Sequence, residues 1–288
     1  MPDLRSKNRA EPLKRVAWNG ISFSIPRRWE PSKVGKTYLM FESDAVPILE
    51  LKWNRIQGRF LPERQLRRLA GRHPKKVSES LRDIPLPESW SRALNQRKNR
   101  SPEDAAVAFS WQGDTICGKG VLLYASGSRT AMLVQLYQVK TPARYSVFAD
   151  ILASFRDHFA DALVPWSLFD IQAQIPDTYQ LADFRFAPGE FRMNFTAKAK
   201  KNTLSLHRWG PASVLLRKGG LSRFAADRLQ VPEEALRSNR SGQYEAMEWI
   251  RKSRRWFSRI SILRKEPQIA MGRIWHVQEK NRLLAVRL

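Results

Sequence analysis

Gly120 to Leu136 reads GVLLYASGSRTAMLVQL, and Gly272 to Leu288 reads GRIWHVQEKNRLLAVRL; the two stretches lie on one another without a gap. In each, two apolar-rich arms flank a polar turn, at Ser126 to Arg129 and at Gln278 to Asn281, which predicts a β-hairpin in both places. Further pairs lie upstream in the same order. Phe109-Ser110 matches Phe257-Ser258, and VAWNGISFSIP (16–26) matches VPWSLFDIQAQIP (164–176). In the first of these, Ile21, Phe23 and Ile25 alternate with serines. In the second, Phe169, Ile171, Ala173 and Ile175 alternate with Asp and Gln, so both read as strands with one dry face. Each follows a tryptophan (Trp18, Trp166) and stops at a proline (Pro26, Pro176). The offsets, 148, 150, 148 and 152 residues in chain order, drift only by small insertions, so the chain reads as one domain written twice.

Each copy has the same coarse order. Copy one predicts strands at 16–25, 38–42 and 47–54, a helix at 62–72, a polar, proline-containing loop at 73–105, and strands at 106–111, 119–125 and 131–138. It closes with a helix at 145–159 whose stripe is Phe148, Ile151, Leu152, Phe155 and Phe159. Copy two predicts strands at 167–175, 183–187, 191–199 and 203–209, helical segments at 221–238 and 243–252, and strands at 255–263, 270–277 and 282–288. The expected architecture is α+β: two tandem, mostly antiparallel sheets with packed helices, an α/β/α sandwich-like layering. The expected division is a charged segment at 1–15, copy one at 16–160, a linker at 161–165 and copy two at 166–288. Copy two ends at the counterpart of Leu136 and therefore lacks the closing helix. The sheet face bared by that loss is covered either by copy one or the 221–238 helices, or else by a partner.

A tryptophan, GISFSIP followed by Trp29, a strand ending in Phe41-Glu42, and a final amphipathic helix together resemble the PsbP/DcrB-like α/β/α sandwich family. The resemblance covers copy one throughout and copy two without its last helix. It implies a non-catalytic interaction module and carries no active-site residues across.

The chain has 288 residues, 51 Lys plus Arg against 27 Asp plus Glu, and a formal charge of +24. Split at residue 160, the copies carry 28 − 15 = +13 and 23 − 12 = +11, so the charge belongs to both folded domains and not to a tail. Ten Trp and 42% hydrophobic residues supply a core, which excludes a disordered basic tail. No apolar run has the length of a membrane span, and the charged start lacks the apolar stretch of a signal peptide, so a cytoplasmic protein is expected. A single cysteine, Cys117, excludes an internal disulfide framework. His73, His158, His207 and His276 show no metal-ligand spacing, and Lys218-Gly219-Gly220 and Gly118-Lys119-Gly120 lack the phosphate-loop pattern. No cofactor or metal is expected, and no enzymatic activity.

Arginine placement is what rises above background. Arg64, Arg67, Arg68 and Arg72 share one side of the 62–72 helix, Leu66, Leu69 and Ala70 take the other, and Lys75 and Lys76 extend the basic run. In copy two, Arg251, Lys252, Arg254, Arg255 and Arg259 interleave with Trp249, Trp256 and Phe257, a pattern suited to pairing phosphates while an aromatic such as Trp256 stacks. Solvated helix and strand faces are the plainer alternative. Arginine-rich clusters in both copies lead to the expectation of a binding protein for an acidic partner, nucleic acid or a nucleoprotein assembly, contacted through its backbone. The alternative is a protein-interaction adaptor or chaperone using the sheet face of copy two.

Overall fold

The structure, a computed structural model, describes residues 11–70, 79–97, 101–138, 145–198, 202–253 and 268–288. The chain divides into two compact units, Met1–Trp166 and Ser167–Leu288. Each holds a seven-stranded antiparallel sheet, so the mostly antiparallel α+β class is as expected.

In the first unit a hairpin of β1 (Leu13–Trp18) and β2 (Ile21–Pro26) precedes the sheet strands β3 (Glu30–Gly35), β4 (Tyr38–Ser43) and β5 (Val46–Arg55). Then come α1 (Pro62–Ala70), β6 (Arg82–Ile84), α2 (Glu88–Asn95), β7 (Ala105–Gln112), β8 (Cys117–Ala125), β9 (Thr130–Gln138), α3 (Tyr145–Ser154) and the short β10 (Arg156–Asp157). The sheet order is β3-β4-β5-β9-β8-β7-β6, and β10 pairs with β2 beside β1. One face of the sheet packs on the closing helix and the hairpin. Phe148, Ile151, Leu152 and Phe155 are fully buried, Phe23 meets Phe41 edge-on and stacks on Phe155 at 5.5 Å, and Trp90 of α2 meets Phe148 at 4.5 Å. The other face carries Phe109, Trp111, Leu122 and Leu133, and Leu66 of α1 covers them.

The second unit repeats this connectivity. After β11 (Leu163–Leu168) and β12 (Ile171–Pro176) come β13 (Tyr179–Ala187), β14 (Glu190–Ala197), β15 (Thr203–Trp209), α4 (Ala212–Leu215), α5 (Gly220–Leu229), β16 (Arg237–Ser241), β17 (Tyr244–Ser253), β18 (Gln268–Val277) and β19 (Arg282–Arg287). The order β13-β14-β15-β19-β18-β17-β16 is that of the first sheet, strand for strand. Local packing repeats as well. Gly120 faces Phe109 and pairs with Gln135; Gly272 faces Trp249 and pairs with Arg287. At both glycines an added Cβ would run into the aromatic ring of the facing residue.

Several expectations need correction. The stretch 16–25 is not one strand. Asn19 and Gly20 take φ of 44° and 92°, a tight turn joining β1 to β2, and Phe169 and Asp170 (50° and 69°) do the same in the second unit. The alternation of Ile21, Phe23 and Ile25 lies wholly within β2; across the turn the inward phase inverts, since Trp18 pairs with Ile21 and Val16 with Phe23. The linker 161–165 is partly strand, because β11 starts at Leu163. The loop 73–105 contains β6 and α2, whose Trp90, Ala93 and Leu94 form a buried i, i+3, i+4 stripe. The closing helix stops at Ser154, whose Oγ turns back onto the Ile151 carbonyl while accepting the Ser24 N–H. Helix 221–238 stops at Leu229, where Gln230 adopts a left-handed cap. Residues 243–252 form β17 and not a helix, since pairing on both edges overrides helical propensity. The strand expected at 255–263 lies outside the described residues.

The last described element of the second sheet is β19. The helix-bearing face of that sheet is covered from within the unit: Leu221, Phe224, Ala225 and Leu229 of α5 pack on Trp209, Trp249, Ile274, Leu283 and Ala285. On the opposite face Phe191, Met193 and Phe195 are fully buried, whereas Ile250 and Met271, paired across β17 and β18, are exposed.

Candidate nucleic-acid interface

In the first unit α1 lies over β8 and β9, held by Leu66 against Leu122 and Leu133. Phe60 pins the approach to the helix by stacking on Tyr124 at 4.6 Å. The helix leaves β4 and β5 uncovered beside it, and the space between is a cleft of about 930 Å³. Six cations line it: Lys52 and Arg55 from β5, Arg59 from the following turn, and Arg64, Arg67 and Arg68 from α1. Thr37, Asn54, Gln57 and Gln65 add uncharged polar groups, and Leu122, Ala131 and Leu133 make an apolar floor. Among the described residues no carboxylate is in the lining. Spacing of i, i+3, i+4 is what brings three arginines of one helix to one cleft.

Arg64, Arg67 and Arg68 are thus placed together, as expected from the sequence, and all three are exposed. Arg72, Lys75 and Lys76 lie outside the described residues. In the second unit Arg251 is exposed on β17, and Lys252 follows it on that strand. Arg254, Arg255, Trp256 and Arg259 lie outside the described residues. Sequence reasoning missed Lys52, Arg55 and Arg59. The available signal was that Lys52 shares the strand face of Glu50, which the alternation puts on the polar side, and that two arginines follow within the next seven residues.

Only Lys52 among the six has a carboxylate partner among the described residues. Its ammonium is 2.8 Å from Glu50 and lies over the Tyr38 ring. Glu50 is nearly fully buried, and accepts hydrogen bonds from the Tyr137 hydroxyl at 2.8 Å and from the Gln135 amide; Gln135 in turn accepts the Trp111 indole N–H at 3.0 Å. Burial pushes the Glu50 carboxyl up, but Lys52 and the hydrogen bonds from Tyr137 and Gln135 outweigh it, leaving the group below its ordinary value. Burial and the Glu50 charge push the Tyr38 and Tyr137 phenols up, so both stay neutral donors. Arg55 packs over Phe159 and reaches the Ser128 carbonyl, and Arg59, Arg64, Arg67 and Arg68 form no ion pair with a described residue. The cleft therefore carries four positive charges, on Arg59, Arg64, Arg67 and Arg68, that no carboxylate among the described residues offsets, whereas the Arg55 guanidinium turns to the opposite face of the strand.

Glu50→Gln separates the stability of the wall from its charge. At pH 7 the variant is expected to lose about 2–3 kcal/mol in urea denaturation, because a buried, charge-assisted network loses its acceptor charge. The folded-state carboxyl is depressed, so its contribution is present above the unfolded value near 4.5 and disappears as the pH falls through the folded value. Wild type and variant should therefore converge in acid. The same change frees Lys52, so polyanion binding should tighten while stability falls.

A second constellation joins residues 136 positions apart. Ser22 Oγ is 2.8 Å from His158 Nε2, and His158 Nδ1 is 2.6 Å from Asp161. The order Ser-His-Asp is that of a nucleophilic triad. Ser22, however, is 1% exposed, and its Oγ also accepts Arg15 at 3.4 Å. The three groups tie β2 to the turn after β10.

No family model and no curated protein matches the chain. A solved structure from Bacteroides thetaiotaomicron VPI-5482 is similar over 52% of this chain, at 12% identity and a TM-score of 0.31. This chain spans about half the length of that one (51%), and a likeness of this degree carries no argument about function. Among the described residues no helix is long and apolar enough to cross a membrane.

Proposed function

We propose that this chain is a non-enzymatic, cytoplasmic binding protein whose first-unit cleft engages the phosphate backbone of nucleic acid or of a nucleoprotein assembly. The observation that carries the reading is the convergence of Lys52, Arg59, Arg64, Arg67 and Arg68, and of no described carboxylate, on one cleft between α1 and the sheet. Arginine predominates, and its planar fork matches phosphate oxygens in pairs. A cleft of this volume has room for several nucleotides of a single strand, and the half-buried Tyr38 ring offers one flat surface at the wall. Contacts of this kind position a nucleic acid without reading its sequence. The Ser22–His158–Asp161 set is read as a structural clamp, since a nucleophile sealed from solvent meets no substrate.

Two sheets of one connectivity support reading the chain as a duplicated domain, each copy a sandwich of the PsbP/DcrB-like kind. That reading keeps the adaptor alternative in play, and the exposed pair Ile250 and Met271 is the observation that favours it. Affinity purification of the full chain with and without nuclease tests the two against each other. Loss of the co-purifying material after nuclease supports the cleft; a protein partner that survives nuclease and high salt supports the adaptor.

A further inference from the structure

In the second unit, the place that corresponds to the cleft is also cationic, and the register defines the correspondence. In the first sheet Tyr38 pairs with Lys52, Lys52 with Leu133, and Leu133 with Leu122, two residues past Gly120. In the second sheet Arg192 pairs with His207, His207 with Ala285, and Ala285 with Ile274, two residues past Gly272. Arg192 and His207 thus occupy the sheet positions of Tyr38 and Lys52, on the helix-bearing face. Arg185 pairs with Arg192 and extends the row to β13, and Arg287, two residues beyond Ala285 on β19, lies on the same face.

Like charges set directly opposite one another across strands are destabilising. Elsewhere in this unit clustered cations surround a carboxylate: Arg208, Arg282 and Lys280 lie 3.5–3.7 Å from Asp170. Among the described residues the Arg185–Arg192–His207 row has none at its centre. On β13 and β14 the carboxylates of that face are Asp183, which accepts the Asn194 amide at 2.8 Å, and Glu190, which pairs in register with Trp209; neither forms an ion pair with the row among the described residues. Among the described residues Arg192 Nε and His207 Nδ1 are buried without a hydrogen-bond partner, and the His207 ring is held flat against Trp209 at 4.9 Å. Burial, then Arg192 and Arg287, push the imidazole down to about 4, so at neutral pH it is an uncharged donor or acceptor among guanidinium groups.

We propose that Arg185, Arg192, His207 and Arg287 form a second anion site, built for a phosphate group and placed on its sheet as the first-unit cleft is on its own. Three guanidinium groups, with no ion pair to Glu190 among the described residues, match a dianion better than a lone carboxylate, and two arginines can grip its oxygens in pairs. The site stands without the nucleic-acid reading of the first unit: a failure here leaves the cleft untouched, and a failure there leaves this row of cations in place.

The test follows the His207 imidazole resonances of the full chain by NMR at pH 7, assigned by their loss in His207→Gln. Inorganic phosphate is titrated in one arm and a thymidine hexanucleotide in the other. A saturable shift is expected with phosphate, and tighter saturation by the hexanucleotide would identify a nucleic-acid backbone as the source of the group. Arg192→Gln should weaken phosphate roughly ten-fold or more. The exposed substitutions Arg185→Gln and Arg287→Gln should weaken it less but measurably, and they keep the test decisive should Arg192→Gln fail to fold. Arg67→Glu with Arg68→Glu should leave the His207 shift unchanged. No saturable shift in either arm, or a shift indifferent to all three second-unit substitutions, overturns the proposal.

Discussion

Reversing Arg67 and Arg68 together, as Arg67→Glu with Arg68→Glu, is expected to weaken oligonucleotide binding roughly 10- to 100-fold at 50 mM salt. Both side chains line the cleft from one exposed helix face, with no ion pair to a described residue, so the change removes two attractions and adds two repulsions. Stability should barely move, because what holds α1 is Leu66 on Leu122 and Leu133 and not the arginines. The slope of log affinity against log salt should also fall by about two, one for each phosphate that is no longer neutralised. Fluorescence anisotropy at four salt concentrations checks both numbers. Weaker affinity with an unchanged slope would mean that the two residues act on folding and do not touch the ligand.

Gly272→Ala is expected to cost about 3 kcal/mol, at the top of the ordinary range for overpacking, and to lower the melting of the second unit by roughly 10 °C. The added Cβ would stand 2.5 Å from the Val286 carbonyl oxygen and against the Trp249 ring. A backbone oxygen in the middle of a sheet has nowhere to go. Gly120→Ala should behave alike in the first unit, where the Cβ meets the Val134 carbonyl at 2.5 Å and the Phe109 ring at 2.7 Å. Gly127, with nothing within 4 Å, is the neutral control. Calorimetry of the three variants checks the pattern: equal penalties at Gly120 and Gly272 are what two sheets of one construction require, and a tolerated alanine at Gly272 would contradict the packing of Trp249 over that strand.

Features set by a short run of sequence were legible. The hairpins 120–136 and 272–288 and the arginine side of α1 each follow from spacing within one element, and each is present. The two-residue turns at Asn19-Gly20 and Phe169-Asp170 were not legible, because apolar residues stand on both sides of each while the inward phase inverts across it, from Trp18 to Ile21 and from Leu168 to Ile171. Phe169 gives no turn signal of its own; its left-handed backbone is held by stacking on Phe186 at 4.4 Å, a contact between segments. The helix α2 was hidden by its polar, proline-bounded surroundings, although Trp90 is one of the most buried residues in the chain. The candidate sites divide the same way. The three arginines of α1 could be found by helical period, whereas Arg185, Arg192, His207 and Arg287 come from four strands and meet only through sheet register. The Ser22–His158–Asp161 clamp likewise needed the pairing of β10 with β2.

Engagement of a phosphate backbone by the first-unit cleft is tested most directly by equilibrium binding of the native chain to a labelled oligonucleotide between 50 and 200 mM salt. Saturable binding that weakens steeply across this range yet persists near 150 mM, and that depends on Arg64, Arg67 and Arg68, is the result expected. Binding absent near 150 mM, or present there and indifferent to reversal of those three arginines, would contradict it.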